Sequence, residues 1–536
     1  MSPSDAAPRP RLPRVDMHYR VELDGVPRRI DLPFVTGVLA DLAGQPALPL
    51  PLVGDRSFVE VDSEHFDAFM AEVAPRLAVR VPFHLLGRDE LAVELAFKRL
   101  DDFAPDAIVR GVPALAQALE AAGPAGPADA DLVARVGAQL DAILHHPAFN
   151  KLEAAWRSLH RMVQANEPDG LCPIRVMVIT KTELAKALAR YKGAAWDQSP
   201  IFKRTYSDGH GSPGGQPFGC IVLDFAFDHG AADVEVLGEL AKIAAACQAP
   251  LLAAAAPSLM QMESWLEIGN PRDITKIFTT PEYAAWRALR DSDDSRSLAL
   301  VMPRYLERAP WRDVRLGGAG LRFDESVGAG WLWANPAYLL ATVIQRSFRI
   351  HGWFSDIVGL ASGGAVEGLA QASPPAEGEP ASTVGPVEAR LDDRRLDELA
   401  RNGLVALVAR GRSNIATFMR APMLCKPAEY DDPDATANAR LGAQLSYQLI
   451  VGRFAHFVKA IVRDALGAGQ GRLEAEAILR AWIADYAEPP AAAPNAFGGA
   501  PRPLAAAEVV VEDDPGQPGH FRAKFYIRPR GTPGPA

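Results

Sequence analysis

Cysteine is scarce in this chain. There are four in 536 residues, at Cys172, Cys220, Cys247 and Cys425, far apart and without a Cys-x-x-Cys pair. That spacing argues against a disulfide framework or a zinc site and makes each a small, buried, reduced thiol. Long apolar runs are also missing; none approaches the ~20 residues that a membrane span requires. The opening MSPSDAAPRPRLPR lacks the apolar core of a secretory signal, so the expected compartment is the cytoplasm, with no membrane contact. An excess of basic residues is absent too. Lys and Arg total 56 against 66 Asp and Glu, a net charge of −10, which argues against a nucleic-acid partner and keeps the chain soluble. No serine sits in a G-x-S-x-G elbow and no H-E-x-x-H occurs, so neither catalysis nor a cofactor is expected.

What is present is apolar patterning of two periods. With 48% hydrophobic residues the chain can bury several cores, and its size suggests roughly three to four domains. The spacing predicts a mixed α/β fold. Val15, Met17, Tyr19, Val21 and Leu23 alternate with polar residues as a half-exposed strand does, and Asp24-Gly25 then signals a turn. Strands are predicted at Leu32–Leu39, Phe58–Val61 and Leu91–Phe97. Ser63 is predicted to cap a helix carrying Phe66, Phe69 and Val73, and Pro105 to open one running to about Ala122. Leu132, Val136, Leu140, Ile143 and Leu144 share one face of a helix over Ala130–His146. Strands at Ile174–Ile179, Cys220–Phe225 and Leu251–Ala255, the last two joined by a helix over Val234–Cys247, suggest an α/β core. The chain closes with a helix over Tyr447–Asp464 and a hairpin of Glu508–Glu512 with Phe521–Arg528.

Local patterns that invite a chemical reading each have a structural one beside them. His145 and His146 are adjacent, hence about 100° apart on a helix, and they are expected to meet free carbonyls at a helix end before Pro147 rather than chelate a metal. Glu429, Asp431, Asp432 and Asp434 lack the glycine and spacing of a calcium loop and are expected to open a helix through Ala435–Leu445. Gly359–Gly368 lacks the phosphate-loop lysine, and its glycines are expected in tight turns. Trp265, Trp286, Trp331, Trp333 and Trp353 sit among apolar neighbours as core or interface anchors.

The literal residue string carries more than its periodicity does. The stretch HHPAFNKLEAAWRSLHRMV from His145, then YKGAAWDQSP, GGQPFGCIVLDFAFDH (Gly214–His229), MQMESWLEIGNPRDITKIFTTPEYAAWRALRDSDDSR (Met260–Arg296), SGGAVEGL (Ser362–Leu369) and KPAEYDDPDATANARL (Lys426–Leu441) resembles the large sheath subunit of the type VI secretion system, TssC or VipB. Before it, Arg14–Gly44, Arg56–Pro82 and Leu91–Leu115 are similar to the small subunit, TssB or VipA. The resemblance implies a fusion of two normally separate chains. It implies a small-subunit region at 14–122 and a large-subunit region at 130–528. Outside it fall a linker at 123–129, ends at 1–13 and 529–536 that are expected to be disordered, and a stretch at 370–386 whose Pro, Ala, Glu and Ser content predicts a mobile loop.

In that family, subunits stack as rings around a tube of Hcp hexamers on a baseplate and contract to propel the tube. Neighbouring subunits are linked by strands that complete a shared sheet. The resemblance implies that Val15, Met17, Tyr19, Val21 and Leu23 form such an inter-subunit strand. Two departures stand out. The end, FRAKFYIRPRGTPGPA, lacks a further apolar strand, since Pro529, Pro533 and Pro535 oppose one. Between Glu120 and Ala130 there is also no room for the segment that the unfoldase ClpV recognises, so ClpV binding is expected to be weak or absent. The leading expectation is a sheath subunit that partners itself or separate TssB and TssC. Its rivals are a non-polymerising cap, initiator or regulator and, remotely, an enzyme or ligand-binding protein on a borrowed fold.

Overall fold

The computed structural model describes residues 14–23, 26–85, 87, 89–122, 130–210, 214–270, 273–316, 321–325, 331–354, 356–371, 385–411, 413–467, 471–488, 502–513 and 521–529. The turn at Asp24-Gly25, both expected disordered ends apart from Pro529, the linker at 123–129 and most of the loop at 370–386 lie outside these residues.

In chain order the strands are β1 (Tyr19–Leu23), β2 (Val26–Ile30), β3 (Val35–Ala40), β4 (Val59–Glu60), β5 (Arg76–Pro82), β6 (Glu90–Ala96), β7 (Ile174–Val178), β8 (Phe218–Phe227), β9 (Leu251–Ala255) and β10 (Leu298–Met302). There follow β11 (Tyr305–Leu306), β12 (Val314–Leu316), β13 (Leu321–Phe323), β14 (Trp333–Ala334), β15 (Ala365–Val366), β16 (Leu404–Ala409), β17 (Ala416–Phe418), β18 (Leu504–Asp513) and β19 (Phe521–Pro529). Nine of them make one sheet in the order β15-β17-β16-β10-β9-β8-β3-β7-β4. Its centre is parallel, β7-β3-β8-β9-β10-β16, and its margins are antiparallel. Parallel strands need crossovers and have both faces covered, which is why β9 and β10 read as unbroken apolar runs and why they and β3, whose one polar residue is Thr36, are buried throughout. Val38 and Ala40 of β3 enter one apolar cluster with the helices Pro147–Gln164 and Ala337–His351; Leu39 enters the other with the helix Ala231–Cys247.

The position of β3 decides the architecture. It comes from the first quarter of the chain, yet it lies between β7 and β8 and pairs with both. The edge strand β4 pairs with β7. Trp156, fully buried on the helix Pro147–Gln164, donates its indole N–H to Leu42 O at 2.9 Å and packs edge-on to Phe66 at 5.9 Å. One apolar cluster draws residues from both sides of 123–129. The joint therefore separates two stretches of sequence, not two cores.

Several expectations are corrected. The helix predicted from Pro105 to Ala122 is two, Pro105–Gly111 and Pro113–Ala122, because Pro113 has no N–H and pushes Val112 to an extended backbone. Ser63 does not cap Phe66–Val73; Asp62 accepts the N–H groups of Glu64 and His65 at 2.9 and 2.8 Å. His145 and His146 do not meet helix-end carbonyls. His145 Nε2 lies 3.1 Å from Glu325, and His146 caps the following helix by accepting the Ala148 N–H. The helix after the acidic run spans Pro433–Gly442, with Asp432 accepting the Asp434 N–H at 2.9 Å. Gly363 has φ +87°, and Gly364 is packed so closely on Phe418 O that any side chain would collide, as tight turns require. Trp265, Trp286 and Trp353 are buried, while Trp331 and Trp333 are half-buried. Cys172, Cys220 and Cys247 are buried free thiols and Cys425 is partly exposed.

Candidate assembly surfaces

Of the two-stranded pairs outside the main sheet, the hairpins nearest the two ends of the chain share a support. In the first, β1 and β2 pair antiparallel, with Arg20 opposite Arg29 and Val21 opposite Arg28. In the second, β18 and β19 pair over nearly their whole length, with Val509 opposite Phe525 and Glu512 opposite Arg522. Apart from a bridge of Leu504 to Ala487, each hairpin pairs only within itself among the described residues. Strand edges without a ladder partner present backbone donors and acceptors that can template another strand, although on β18 the Val509 and Val511 carbonyls already accept from Arg480 and Arg472.

Of the five residues predicted for an inter-subunit strand, Tyr19, Val21 and Leu23 lie in β1. Val15 and Met17 do not; they precede it, outside any assigned strand. Val15 donates its N–H to His351 O at 2.7 Å, and the close approach is possible because Gly352, at φ +62°, has no Cβ to collide with Val15 O. Met17 and Tyr19 are both buried, so the alternation read from the sequence points one row of side chains into the core.

One pair of helices, Leu445–Gly467 and Arg472–Ala484, carries both hairpins. Tyr19 packs edge-on to Phe457 at 6.2 Å and donates its hydroxyl to Asp464 at 2.6 Å; burial and that carboxylate raise its pKa. Trp482 donates its indole N–H to His18 O at 2.8 Å, and the His18 N–H donates to the Tyr486 hydroxyl at 3.1 Å. The second hairpin meets the same support. Leu504 donates its N–H to Tyr486 O at 3.0 Å, and Arg472 donates to Val511 O at 2.9 Å. Tyr486 thus touches the first hairpin with its hydroxyl and the second with its carbonyl. Asp464, Trp482 and Tyr486 were not singled out from the sequence; their helical spacing reads as ordinary core.

Farther in, the helix Pro147–Gln164 is locked to the segment 305–325 by charge. Arg308 bridges two buried carboxylates, Glu153 at 2.8 and 3.2 Å and Glu325 at 2.7 and 3.4 Å. Arg157 also meets Glu153 at 2.8 Å, and Trp311 receives the guanidiniums of Arg157 and Arg308 over its ring. One turn on, Arg161 donates to Glu307 at 3.0 Å, and Tyr305 donates its hydroxyl to the same carboxylate. Burial alone would raise the pKa of Glu325, but His145 and Arg308 outweigh it and hold the carboxyl below its ordinary range. At Glu307 burial prevails over Arg161 and the pKa rises. These groups neutralise one another in place, the arrangement of a structural brace. Among the described residues no three His, Cys, Asp or Glu side chains converge to hold a metal ion, and no helix is long and apolar enough to cross a membrane.

Comparison with known proteins follows the same division of the chain. A family model described as "Type VI secretion system, VipA, VC_A0107 or Hcp2" matches residues 7–123. "EvpB/VC_A0108, tail sheath N-terminal domain" matches 130–424, and "EvpB/VC_A0108, tail sheath gpW/gp25-like domain" matches 434–532. The type VI secretion system sheath protein TssC1 of Pseudomonas aeruginosa is 47% identical over 404 residues, 75% of this chain and 81% of its own length. The sheath protein TssB1 of the same organism is 47% identical over 113 residues, 21% of this chain and 66% of its own length. Among solved structures, the helical sheath of the anti-feeding prophage in its contracted state aligns over 99% of this chain and 94% of its own, at 12% identity and a TM-score of 0.39.

Proposed function

Since the chain belongs to the contractile sheath family of the type VI secretion system and is a structural subunit of that sheath, with TssB and TssC fused in one polypeptide, we propose that it serves alone as the complete protomer. Copies stack on a baseplate around an Hcp-type inner tube, in the cytoplasm, and contract to propel it. The observation that carries this reading is the mounting of both hairpins on one helical support, each with an open edge. Main-chain hydrogen bonds across a sheet shared between copies resist pulling along the strands, as β-augmentation does elsewhere. Val15 and Met17 anchor the root of the linking segment, and Tyr19, Val21 and Leu23 supply its strand.

The relatives are sheath proteins rather than enzymes, and the family match favours a lattice subunit over a capping paralogue. Electron microscopy of the purified chain expressed alone is expected to show tubes or stacked rings. Discrete particles that never elongate, at any salt or protein concentration tried, would sink the one-chain protomer.

A second expectation concerns recycling. The helices Pro113–Ala122 and Ala130–Leu144 leave only 123–129 between them, too short for a separate unfoldase-binding helix. ClpV is therefore expected to bind the chain weakly or not at all. A pull-down with ClpV, using a separate-chain sheath as the positive control, checks this; tight binding would refute it.

A further inference from the structure

A half-open cavity of about 560 Å³ lies at the root of the first hairpin, where Arg14, Asp16, Arg29, Asp31, Gln216 and Arg453 meet. Two of its arginines are answered locally. Arg14 pairs with Asp16 at 2.6 Å and Arg29 with Asp31 at 3.0 Å. The third has no carboxylate. Arg453, on the helix Leu445–Gly467 and only 4% exposed, donates to the carbonyls of Pro33, at 3.1 Å, and Leu32. The rings of Phe348 and Phe457 flank it at 5.0 and 4.8 Å. A guanidinium has five N–H donors. Two have acceptors here, and the other three, the buried Nε–H among them, have none among the described residues.

Carbonyl dipoles and ring faces offset a buried positive charge only in part. The strain shows in its acidity, which burial draws down to about 9. Three arginines against two aspartates leave the cavity one charge short of neutral. Its volume suits a small organic ion rather than a folded element. Gln216 adds a neutral wall; its Oε1 accepts from Arg175, and its amide N–H₂ is left to donate.

We infer that this cavity is a binding site for one carboxylate group, received by the fork of Arg453. An Arg–carboxylate pair is short, bidentate and strong where water is excluded. Occupancy would join three chain segments, the residues before β1, the turn leading into β3 and the long helix, and would stiffen the base from which the first hairpin projects. The site stands apart from the assembly reading and does not depend on it.

The test uses the full chain, kept unassembled, with sodium acetate replacing sodium chloride at constant ionic strength. Thermal unfolding followed by fluorescence is expected to show a saturable rise in Tm. In Arg453→Met the rise should be lost, or its midpoint weakened by about tenfold or more. Should that variant not fold, Gln216→Ala and Arg29→Gln, at the wall, are expected to weaken the midpoint severalfold while leaving the core intact. A shift that is linear in acetate, or equal in every variant, would overturn the site. The same group can arrive free or on an Asp or Glu side chain of a neighbouring copy. A density map of assembled material distinguishes these, and water alone at Arg453 in both states would count against either.

Discussion

Proline at position 38 is expected to abolish the folded chain altogether. Val38 is fully buried in β3, level with Val176 of β7 and Val222 of β8, in the interior of the nine-stranded sheet. Proline brings no N–H to that ladder and is confined in natural sheets to edges and bulges. The buried carbonyl it strands costs about 1–3 kcal/mol, and the lost valine packing about 1.5–3 kcal/mol more. Against a typical total of about 5–15 kcal/mol these are large, and the ring must also displace a neighbouring strand. Both parts of the chain should fail together, because β7 and β8 lose the strand that joins them. Glu60→Pro, on the exposed edge strand β4 with its N–H on the side away from β7, is the matched control and should fold. Soluble yield, far-ultraviolet circular dichroism and limited proteolysis read the outcome. A soluble Val38→Pro chain whose residues beyond 130 resist protease would show that β3 is dispensable to the sheet.

Arg308→Met is expected to cost about 3–5 kcal/mol at neutral pH, because Glu153 and Glu325 then remain buried without their shared cation. The pH dependence should change sign. In the native chain the folded-state pKa of Glu325 lies below the ordinary 4.5, so its contribution is present above that value and is lost as pH falls through the depressed pKa. In the variant, burial of Glu325 is opposed by His145 but no longer by Arg308, and its folded pKa is expected to rise above the unfolded value. The variant is then penalised at neutral pH and regains stability as the medium is acidified toward 4.5. Glu307, whose pKa is already raised, contributes alike to both proteins and cancels. Urea denaturation of both chains between pH 7 and pH 4 measures this. Parallel curves would mean that the brace carries no net charge stabilisation.

The two predictions differ in how far the sequence foretells them. The runs at Ile174–Ile179, Cys220–Phe225 and Leu251–Ala255 announce strands, since β-branched and apolar residues without polar alternation suit a sheet covered on both faces. The small-subunit resemblance likewise marks where one stretch ends and the next begins. Strand order is a different matter. Nothing local to Val35–Ala40 says that its partners lie beyond residue 170, because pairing is settled by tertiary packing. The charged brace was illegible for a similar reason. Glu153, Arg308 and Glu325 are scattered along the chain, and each alone looks like a solvated surface residue. Arg453 hides inside an apolar helical run, where one arginine reads as an end that snorkels to water. Where the sequence misled, as at Pro113 and His146, short-range rules competed and the stricter one prevailed: proline's missing donor over continuing helix period, and a helix start over a helix end.

The place of β3 also bears on how the protein is made. Its strand leaves the ribosome long before β7 and β8 exist, so an apolar segment with two hydrogen-bonding edges must wait, uncovered, until residue 227 has been synthesised. In a protomer made from separate chains that wait would last until a partner was met by diffusion. Here it lasts only as long as translation takes. Every copy released carries this interior strand already matched to its neighbours in equal number, so synthesis of this chain by itself produces no surplus of either half.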